Sequence, residues 1–552
     1  MKWISLIVLI GLFILISIYV GKYMYNILFQ KKSFVDPVMD KIDNVIYKIS
    51  GIKDENMDWK QYIKAVLITN GVMIVVAFVL LMVQQYIAFA TSDLVDMNWH
   101  TAFNTAISFM TNTNLQDYTG ELNLTNLSQM IVITFMMFTS AATGFSVCGA
   151  FIKGITGNPM GNFYKDMVRV ITRLLLPISI VASIILMWQG VPQTLEAHRV
   201  VQTLEGQTQT LAYGPVASLE SIKHLGTNGG GFFGANSAHP FENPTAMTNM
   251  LEMLLMMATP GAFCVVLGKA VKNKKQGMTI FAAALFLFII AIPVINIAEQ
   301  AGNPIMNELG ISSTLGNMEG KEVRIGTFDS SLFTVVTTAF TTGSVNNMHD
   351  SLTPMGGAVP MWNMMLNVVF GGKGVGFMGL IVYSMLGVFI CGLMVGRTPE
   401  FLRRKIEGKE MKLMAATILI HPILILLPTA IALIASQATT EGYHGLSQVL
   451  YQFCTSAANN GSGFEGLQDA TVFWNVITGF IMTFGRYISM TLLLCLAGSL
   501  SVKKEVPEGA VSFRTDKPIF VGVLIVTIII IGALTFLPVL VLGPGAEFLT
   551  IS

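Results

Sequence analysis

Residues 226–231 read Gly-Thr-Asn-Gly-Gly-Gly, a polar run that follows a hydrophobic segment too short to cross a membrane. Three similar runs occur elsewhere in the chain: Thr111-Asn112-Thr113-Asn114, Thr341-Thr342-Gly343-Ser344-Val345-Asn346 and Ser456-Ala457-Ala458-Asn459-Asn460-Gly461. By subtraction, the steps from Asn112 to Asn228, Asn346 and Asn460 are 116, 118 and 114 residues. A unit of that length holds two membrane helices and a re-entrant loop. The repeat therefore predicts four pore loops in one polypeptide, with fourfold pseudosymmetry as in potassium channels.

The composition indicates an integral membrane protein. Of the 552 residues, 53% are hydrophobic and only 12% are charged, against roughly 25% charged residues in an average soluble domain. An apolar run of about 20 residues can cross a hydrocarbon core of about 30 Å. Ten such runs predict an all-α polytopic fold with about ten transmembrane helices, near residues 4–27, 62–90, 126–152, 168–190, 246–268, 278–298, 358–396, 413–436, 471–500 and 518–543.

The runs group into four pore repeats with one extra helix at each end. The extra helices are predicted within residues 1–30 and 515–545. The four repeats are predicted at residues 62–152, 164–272, 277–398 and 411–502.

The placement of basic residues predicts the orientation. By our count, 24 of the 33 Lys and Arg residues lie in alternate loops, and only five lie in the other connections: Lys2, Arg199, Lys223, Lys321 and Arg324. Because basic loops stay on the cytoplasmic side, both termini and all four polar runs are expected on the outer side of a bacterial cell membrane.

A segment too short to span the membrane precedes each polar run, and these segments suit pore helices. They are Trp99–Met110, Val216–Leu225, Ser330–Phe340 and Leu446–Thr455. Non-helical backbone at membrane depth persists only where it is buried in protein or lines water, so four interruptions imply a shared aqueous axis.

Stripping water from a monovalent cation costs on the order of 20 kcal/mol in the idealised limit, so a replacement ligand shell is needed there. Rings of backbone carbonyls favour dehydrated K⁺, whereas carboxylate rings are commoner in other cation pores. None of the four runs contains Asp or Glu. The alternative is that the runs are ordinary polar loops between helices. Four such runs at a regular sequence spacing, all predicted on one side of the membrane, favour a filter instead. Its predicted residues are Thr111, Asn112, Thr113, Asn114, Thr227, Asn228, Gly229, Gly230, Gly231, Thr342, Gly343, Ser344, Asn346, Ala458, Asn459, Asn460 and Gly461.

The apolar stretch at 358–396 is almost twice as long as a bilayer requires, and a glycine-rich segment, Phe370–Gly376, interrupts it. Several glycines so close together predict a helix broken by a loop near the membrane centre. Such a loop would plug or redirect a pore, and the alternative is a simple kink or a surface turn. Lys373 and Arg486 are intramembrane cations, which would form a barrier to a cation or satisfy carbonyls freed at broken helices. The predicted gate or barrier consists of Gly371, Gly372, Lys373, Gly374 and Arg486.

Motifs for enzymatic catalysis are absent from the sequence. It has no GxxxxGK[ST] phosphate loop, no DKTGT-type phosphorylation motif and no HExxH. A literal GxGxxG occurs at 461–466, but it is not part of a βαβ unit, so it is not a nucleotide site. The five cysteines lie in apolar stretches without CxxC spacing and are interpreted as packing residues. We therefore expect no catalytic residues and no bound nucleotide, and K⁺ at the filter is the only metal expected.

Four motifs give the chain a resemblance to a known family over nearly its whole length. They are Gly226–Gly231 continuing to Pro244, Asn346–Ser351, Phe370-Gly371-Gly372 and Gly396–Phe401. The chain resembles the potassium-binding A subunit of the bacterial Kdp potassium-transporting P-type ATPase. Many members carry a glycine and a glutamate shortly before the FGG, whereas this chain has Asn367.

The resemblance implies a non-catalytic, channel-like subunit that selects K⁺ with high affinity from outside. It also implies a separate P-type ATPase catalytic subunit and small accessory membrane subunits, with K⁺ leaving sideways toward the ATPase. The bilayer is a further partner, and no nucleic acid is expected.

Two other functions remain open from the residues. A gradient-driven potassium uptake protein of the same architecture would work with a cytosolic regulatory partner. A polytopic membrane enzyme would need an intramembrane acid, base or nucleophile set, and the seven scattered histidines and the lack of paired intramembrane aspartates disfavour it.

Overall fold

The computed structural model describes residues 2–33, 35–87, 94–95, 97–312, 314–394, 396, 399–506 and 513–551. Arg397 and Thr398 of the GRTPE motif lie outside these residues, as do positions 88–90 and 395 of the predicted spans. The longer helices are α1 (Lys2–Leu28), α2 (Asp36–Ser50), α3 (Trp59–Val83), α4 (Trp99–Met110), α5 (Asn126–Ile155), α6 (Phe163–Trp188), α7 (Val216–Leu225), α8 (Ala246–Ala270), α9 (Lys274–Ala301), α10 (Gly326–Ala339), α11 (Pro354–Leu366), α12 (Val375–Met394), α13 (Gly408–Ile434), α14 (Gly442–Ala458), α15 (Val472–Ser501) and α16 (Pro518–Ile551).

Strands are confined to two small antiparallel hairpins in the described part of the chain. They are β1 (His198–Gln202) with β2 (Thr208–Ala212), and β3 (Glu400–Phe401) with β4 (Arg404–Lys405). Short helical turns complete the described regular structure at Gln84–Tyr86, Gly120–Asn123, Asn236–Ala238, Pro304–Glu308 and Glu465–Leu467.

Among the described residues, ten helices are long and apolar enough to cross a membrane. This confirms the predicted all-α polytopic fold. Four shorter helices, α4, α7, α10 and α14, contain 12, 10, 14 and 17 residues. At about 1.5 Å per residue none of them spans a core of about 30 Å, and each leads into one of the four polar runs.

The stretch predicted at 358–396 is divided into α11 and α12 by a non-helical loop, residues 367–374. Asn367, Phe370, Gly371, Lys373 and Gly374 all have positive φ angles. Helix geometry cannot accommodate such angles, so the chain leaves the helix at Asn367 and resumes it at Val375.

Close packing at glycines holds the two terminal helices on the repeats. On α1, a Cβ added at Gly21 would lie 2.6 Å from the Cβ of Val265, and one at Gly261 of α8 would lie 2.6 Å from the Phe13 ring. Small residues allow membrane helices to approach this closely. At the other end, Gly532 of α16 packs against Leu366, which places α16 beside the broken helix.

Candidate ion-binding site

The four polar runs share one backbone conformation. One or two residues after the end of each short helix, one residue has a left-handed φ: 60° at Asn112, 48° at Thr227, 48° at Thr341 and 55° at Asn459. Two residues later φ is positive again, at Asn114 (58°), Gly229 (95°), Gly343 (92°) and Gly461 (106°). Non-glycine residues seldom adopt this region, so its recurrence defines equivalent positions in the four loops.

The positions made equivalent by these backbone angles differ from those obtained by matching the asparagines of the four runs. Thr113, Asn228, Thr342 and Asn460 occupy the middle position of each loop, and Asn346 lies three residues beyond Gly343. Thr341 takes a first position although it was not among the predicted filter residues. Matching the loops on asparagine missed it, because the equivalent positions are defined by backbone φ angles, which the sequence does not show.

The four loops lie against one another in a closed ring. A Cβ at Gly229 would lie less than 3.0 Å from the Thr342 carbonyl oxygen, and one at Gly343 would meet the Asn460 oxygen as closely. A Cβ at Gly461 would in turn meet the Thr113 oxygen. These contacts join the second loop to the third, the third to the fourth and the fourth to the first. We call residues 112–114, 227–229, 341–343 and 459–461 the four-loop ring.

Buried amide side chains tie neighbouring loops together. Asn112 Nδ2 donates to the Thr227 oxygen (2.8 Å), and Asn228 Nδ2 donates to Asn112 Oδ1 (2.7 Å). Asn459 Nδ2 donates to Thr113 Oγ1 (3.0 Å), and Asn460 Nδ2 donates to the oxygen of Thr337 in α10 (3.0 Å). The asparagine side chains are therefore used to brace the ring.

The middle carbonyls are left without protein partners. Within the described residues, no hydrogen bond reaches the backbone oxygen of Thr113, Asn228, Thr342 or Asn460. These residues are almost completely buried, and at least nine in ten buried carbonyls are normally paired. Four equivalent unpaired oxygens in one ring provide the ligands that a dehydrated cation requires.

The other predicted filter residues support the ring from outside it. Ser344 Oγ lies 2.9 Å from His224 Nε2, and Asn346 Nδ2 donates to Asn249 Oδ1 of α8 (3.0 Å). Thr111 Oγ1 lies 2.8 Å from Thr113 Oγ1. Ala458 is the last residue of α14, and Gly231 bonds to the Gln116 side chain, with Gly230 beside it.

The 367–374 loop lies directly against the ring. Gly371 N donates to the Ala339 oxygen (3.0 Å), Lys373 N donates to Thr227 Oγ1 (3.0 Å), and Thr341 Oγ1 donates to Asn367 Oδ1 (3.1 Å). A Cβ at Gly372 would lie 2.7 Å from the Thr341 oxygen. Asn367 thus contacts a first-position residue of the ring through its side-chain amide oxygen.

One buried cationic side chain, Lys373, belongs to this loop, and a second, Arg486, lies beside it. Lys373 is 2% exposed, and its Nζ has no hydrogen-bond partner among the described residues. Arg486 is 1% exposed and donates only from Nη2, to the Ser140 oxygen (3.2 Å), in the part of the chain that the structure covers. Gly144 lies against both the Lys373 carbonyl and the Arg486 side chain, so α5 brings the two predicted barrier residues together.

A cavity of about 80 Å³ lies below the ring. Its lining includes Asn459 from the ring, Gly372 and Lys373 from the broken helix, and Arg486 from α15. It continues sideways between α12, α13 and α16, where Tyr383, Thr417, His421 and Phe536 line it. A water needs roughly 10–15 Å³ by this measure, so several waters or a partly hydrated cation would fit.

A charged cluster behind the second loop was not predicted. Lys223 was assigned to an outer connection, but it is fully buried in α7. Its Nζ lies 2.9 Å from Glu220 Oε2 and 2.7 Å from Glu242 Oε2, and it donates to Ser237 Oγ (3.0 Å). Glu242 Oε1 in turn accepts from Phe233 N (2.8 Å), so the cluster anchors the chain that follows the second loop.

Acidic residues beyond the third and fourth runs serve as structural ties. Glu465 Oε2 accepts from Asp350 N (3.2 Å), and Asp350 Oδ2 accepts from Gly466 N (3.2 Å). His444 Nε2 lies 3.2 Å from Asp350 Oδ1, and its Nδ1 lies 2.9 Å from Glu547 Oε1. Hydrogen bonds to Asp350 and then to Glu547 raise the pKa of His444 to about 10. The imidazolium therefore connects α14, the chain that follows the third loop and the end of α16.

The chain is similar to known proteins over nearly its whole length. Residues 7–549 match the family described as "Potassium-transporting ATPase A subunit". A protein of Geobacillus kaustophilus named "Potassium-transporting ATPase potassium-binding subunit" is 55% identical over 547 residues, 98% of each chain. A protein of the same name from Clostridium acetobutylicum is 54% identical over 557 residues, 100% of each chain.

Among solved structures, the potassium transporter TrkH from Vibrio parahaemolyticus is similar in fold. Its TM-score is 0.53 at 13% sequence identity, and the alignment covers 90% of this chain and 98% of TrkH. At that identity the likeness concerns the fold alone.

Proposed function

Because this chain belongs to the potassium-transporting ATPase A subunit family, we propose that it is the potassium-binding and translocating subunit of an ATP-driven, high-affinity K⁺ uptake pump. A partner P-type ATPase subunit hydrolyses ATP, and small accessory membrane subunits complete the complex. The chain lies in the bacterial cell membrane with both termini and the ring's outer mouth facing outward, as the distribution of basic residues predicts.

The four unpaired middle carbonyls of the ring carry this proposal. K⁺ loses its hydration shell at the ring and takes the oxygens of Thr113, Asn228, Thr342 and Asn460 in exchange. Amide side chains hold in place the loops that carry these oxygens. The C-terminal ends of α4, α7, α10 and α14 add partial negative charge at the same place.

Below the ring, K⁺ enters the cavity beside Lys373 and Arg486. The 367–374 loop blocks a straight path to the opposite side, and the two cations oppose further travel along the axis. The sideways extension between α12, α13 and α16 is the open direction. This geometry suits delivery of K⁺ to a partner subunit and disfavours a free channel.

The pump is distinguished from gradient-driven uptake by its need for a partner that hydrolyses ATP. The tagged chain, purified from its native membrane in mild detergent, is expected to bring down a subunit of P-type ATPase size. The complex should hydrolyse ATP faster when K⁺ is added. Reproducible absence of that subunit, with K⁺ uptake retained by the chain alone, would favour the gradient-driven alternative.

Arg486→Gln is expected to increase the ATP-independent leak of Rb⁺ into vesicles about tenfold. Two unit positive charges about 10 Å apart, here the guanidinium and a passing cation, repel each other by about 1.7 kcal/mol at an effective dielectric constant of about 20. Glutamine is polar and retains an amide donor but removes the charge. The matched control is Arg403→Gln, whose side chain is 53% exposed, and it should leave the leak unchanged. An equal leak in both variants would remove Arg486 from the barrier.

A further inference from the structure

Helix α2 exposes a continuous apolar stripe. Val38, Ile42, Val45 and Ile49 are 61%, 44%, 58% and 81% exposed. Their spacing of four, three and four residues places all of them on one face of a helix. In a soluble surface helix this face would be turned toward the protein core.

The acidic face of α2 is the one that contacts the protein. Asp36, Asp40 and Asp43 lie about half a turn away from the stripe, at about 100° per residue. All three pair with the fully buried Arg173 of α6: Nε lies 3.0 Å from Asp36 Oδ1, Nη2 lies 2.5 Å from Asp40 Oδ1, and Nη1 pairs with Asp43. Thr172 Oγ1 also donates to Asp43 Oδ1 (3.0 Å). These ion pairs fix the rotation of α2, so the stripe points away from the protein.

Helix α2 lies beside the membrane-spanning helices, at the end of the bundle opposite the ring. Arg173 is ten residues into α6, about 15 Å from its start. Tyr23, five residues before the end of α1, donates from its hydroxyl to the Arg173 carbonyl (2.7 Å). Trp3, at the other end of α1, contacts Phe328 near the start of the third short helix. The stripe therefore lies near the boundary between acyl chains and headgroups on the side predicted to be cytoplasmic.

The residues around the stripe suit a lipid surface. Lys41 and Lys48 are exposed along one edge of the stripe. A groove of about 750 Å³ opens between the end of α2 and the start of α6, and its lining is mixed: Ile46, Met57 and Met167 are apolar, whereas Lys53, Glu55 and Gln61 are polar. The stripe is purely aliphatic and has no Trp, Tyr or Arg anchor of the kind that dominates protein interfaces. Aliphatic residues flanked by lysines are typical of helices that lie in a membrane interface.

We propose that α2 is an interfacial helix whose Val38, Ile42, Val45 and Ile49 stripe is embedded in the lipid of the leaflet opposite the ring. Lys41 and Lys48 face the phosphates of the headgroups. Arg173 orients the helix by holding its acidic face against α6. The occupant of the stripe is lipid, not a partner subunit.

Spin labels on α2 in the complete complex test this proposal. Val45→Cys, Ile49→Cys and the control Asn44→Cys are each labelled with a nitroxide, in a background where Cys391 and Cys495, the partly exposed cysteines, are alanine. Asn44 is exposed on the hydrophilic side of the helix. The complex is reconstituted into vesicles of phosphatidylethanolamine and phosphatidylglycerol, and its monodispersity is checked. Collision with oxygen, which concentrates in lipid, is compared with collision with a water-soluble nickel chelate.

Labels at 45 and 49 are expected to favour oxygen over the chelate several-fold, and the label at 44 should favour the chelate. Equal access of the chelate to all three positions would place the stripe in water. Exclusion of both reagents from 45 and 49 would mean that protein covers it. Either of these results would overturn the proposal.

Discussion

Replacing Gly461 by alanine is expected to raise the K⁺ concentration for half-maximal ATPase stimulation about a hundredfold. Gly461 has a φ of 106°, and a Cβ there would lie less than 3.0 Å from the Thr113 carbonyl oxygen. The unfavourable backbone conformation costs about 1–2 kcal/mol, and displacement of the carbonyl adds to it. A total of about 3 kcal/mol corresponds to about a hundredfold in affinity, at 1.4 kcal/mol per factor of ten.

Gly463 provides the matched control for this substitution. It lies two residues further along the same loop, its φ is not in the left-handed region, and a Cβ there would have no heavy atom within 4 Å. Gly463→Ala is therefore expected to leave the half-activating K⁺ concentration unchanged. Equal values for both variants and the parent would contradict a binding role for the fourth loop.

Replacing Lys223 by methionine is expected to destabilise the protein by about 3–5 kcal/mol, the usual cost of removing one partner of a buried ion pair. The ammonium lies between Glu220 and Glu242, both fully buried. Methionine has a similar shape but leaves these carboxylates without their counter-charge. The effect is measured as a fall in the unfolding temperature of the purified complex.

Two further variants show whether the lost charge is the cause. Adding Glu242→Gln to Lys223→Met removes one unpaired carboxylate, so the double variant should recover part of the lost stability. Arg199→Met removes an exposed cation whose contact with Glu196 is 3.5 Å long, and such pairs contribute about 0–1 kcal/mol. If Lys223→Met is no more destabilising than Arg199→Met, the cluster has no structural role.

The lengths of the apolar segments were sufficient to predict much of the fold. The short helices predicted at Trp99–Met110 and Val216–Leu225 have those bounds in the structure, because polar residues end each apolar segment sharply. The third and fourth helices begin four residues earlier than predicted, at Gly326 and Gly442. Their first turns contain polar residues that a hydrophobic criterion excludes.

Three features of the structure depend on the tertiary fold and could not be predicted from the sequence: the register of the loops, the surroundings of Lys223 and the orientation of α2. The register of the loops depends on backbone angles, so Thr341 could not be recognised by matching asparagines. Lys223 was predicted to lie in the second short helix, but the sequence does not show that Glu220 and Glu242 enclose its ammonium group. The orientation of α2 depends on Arg173, which is 130 residues away from Asp43 in the chain.

The most direct test of the ring is to locate the bound ion. Structures of the complete complex are determined in Rb⁺ or Tl⁺, whose scattering identifies them, and in Na⁺. We expect Rb⁺ or Tl⁺ on the axis of the ring, within coordination distance of the Thr113, Asn228, Thr342 and Asn460 carbonyl oxygens, and weaker or no density there in Na⁺. An empty ring in Rb⁺ and Tl⁺, with the ion bound elsewhere in the complex, would contradict the proposal that these four loops select K⁺.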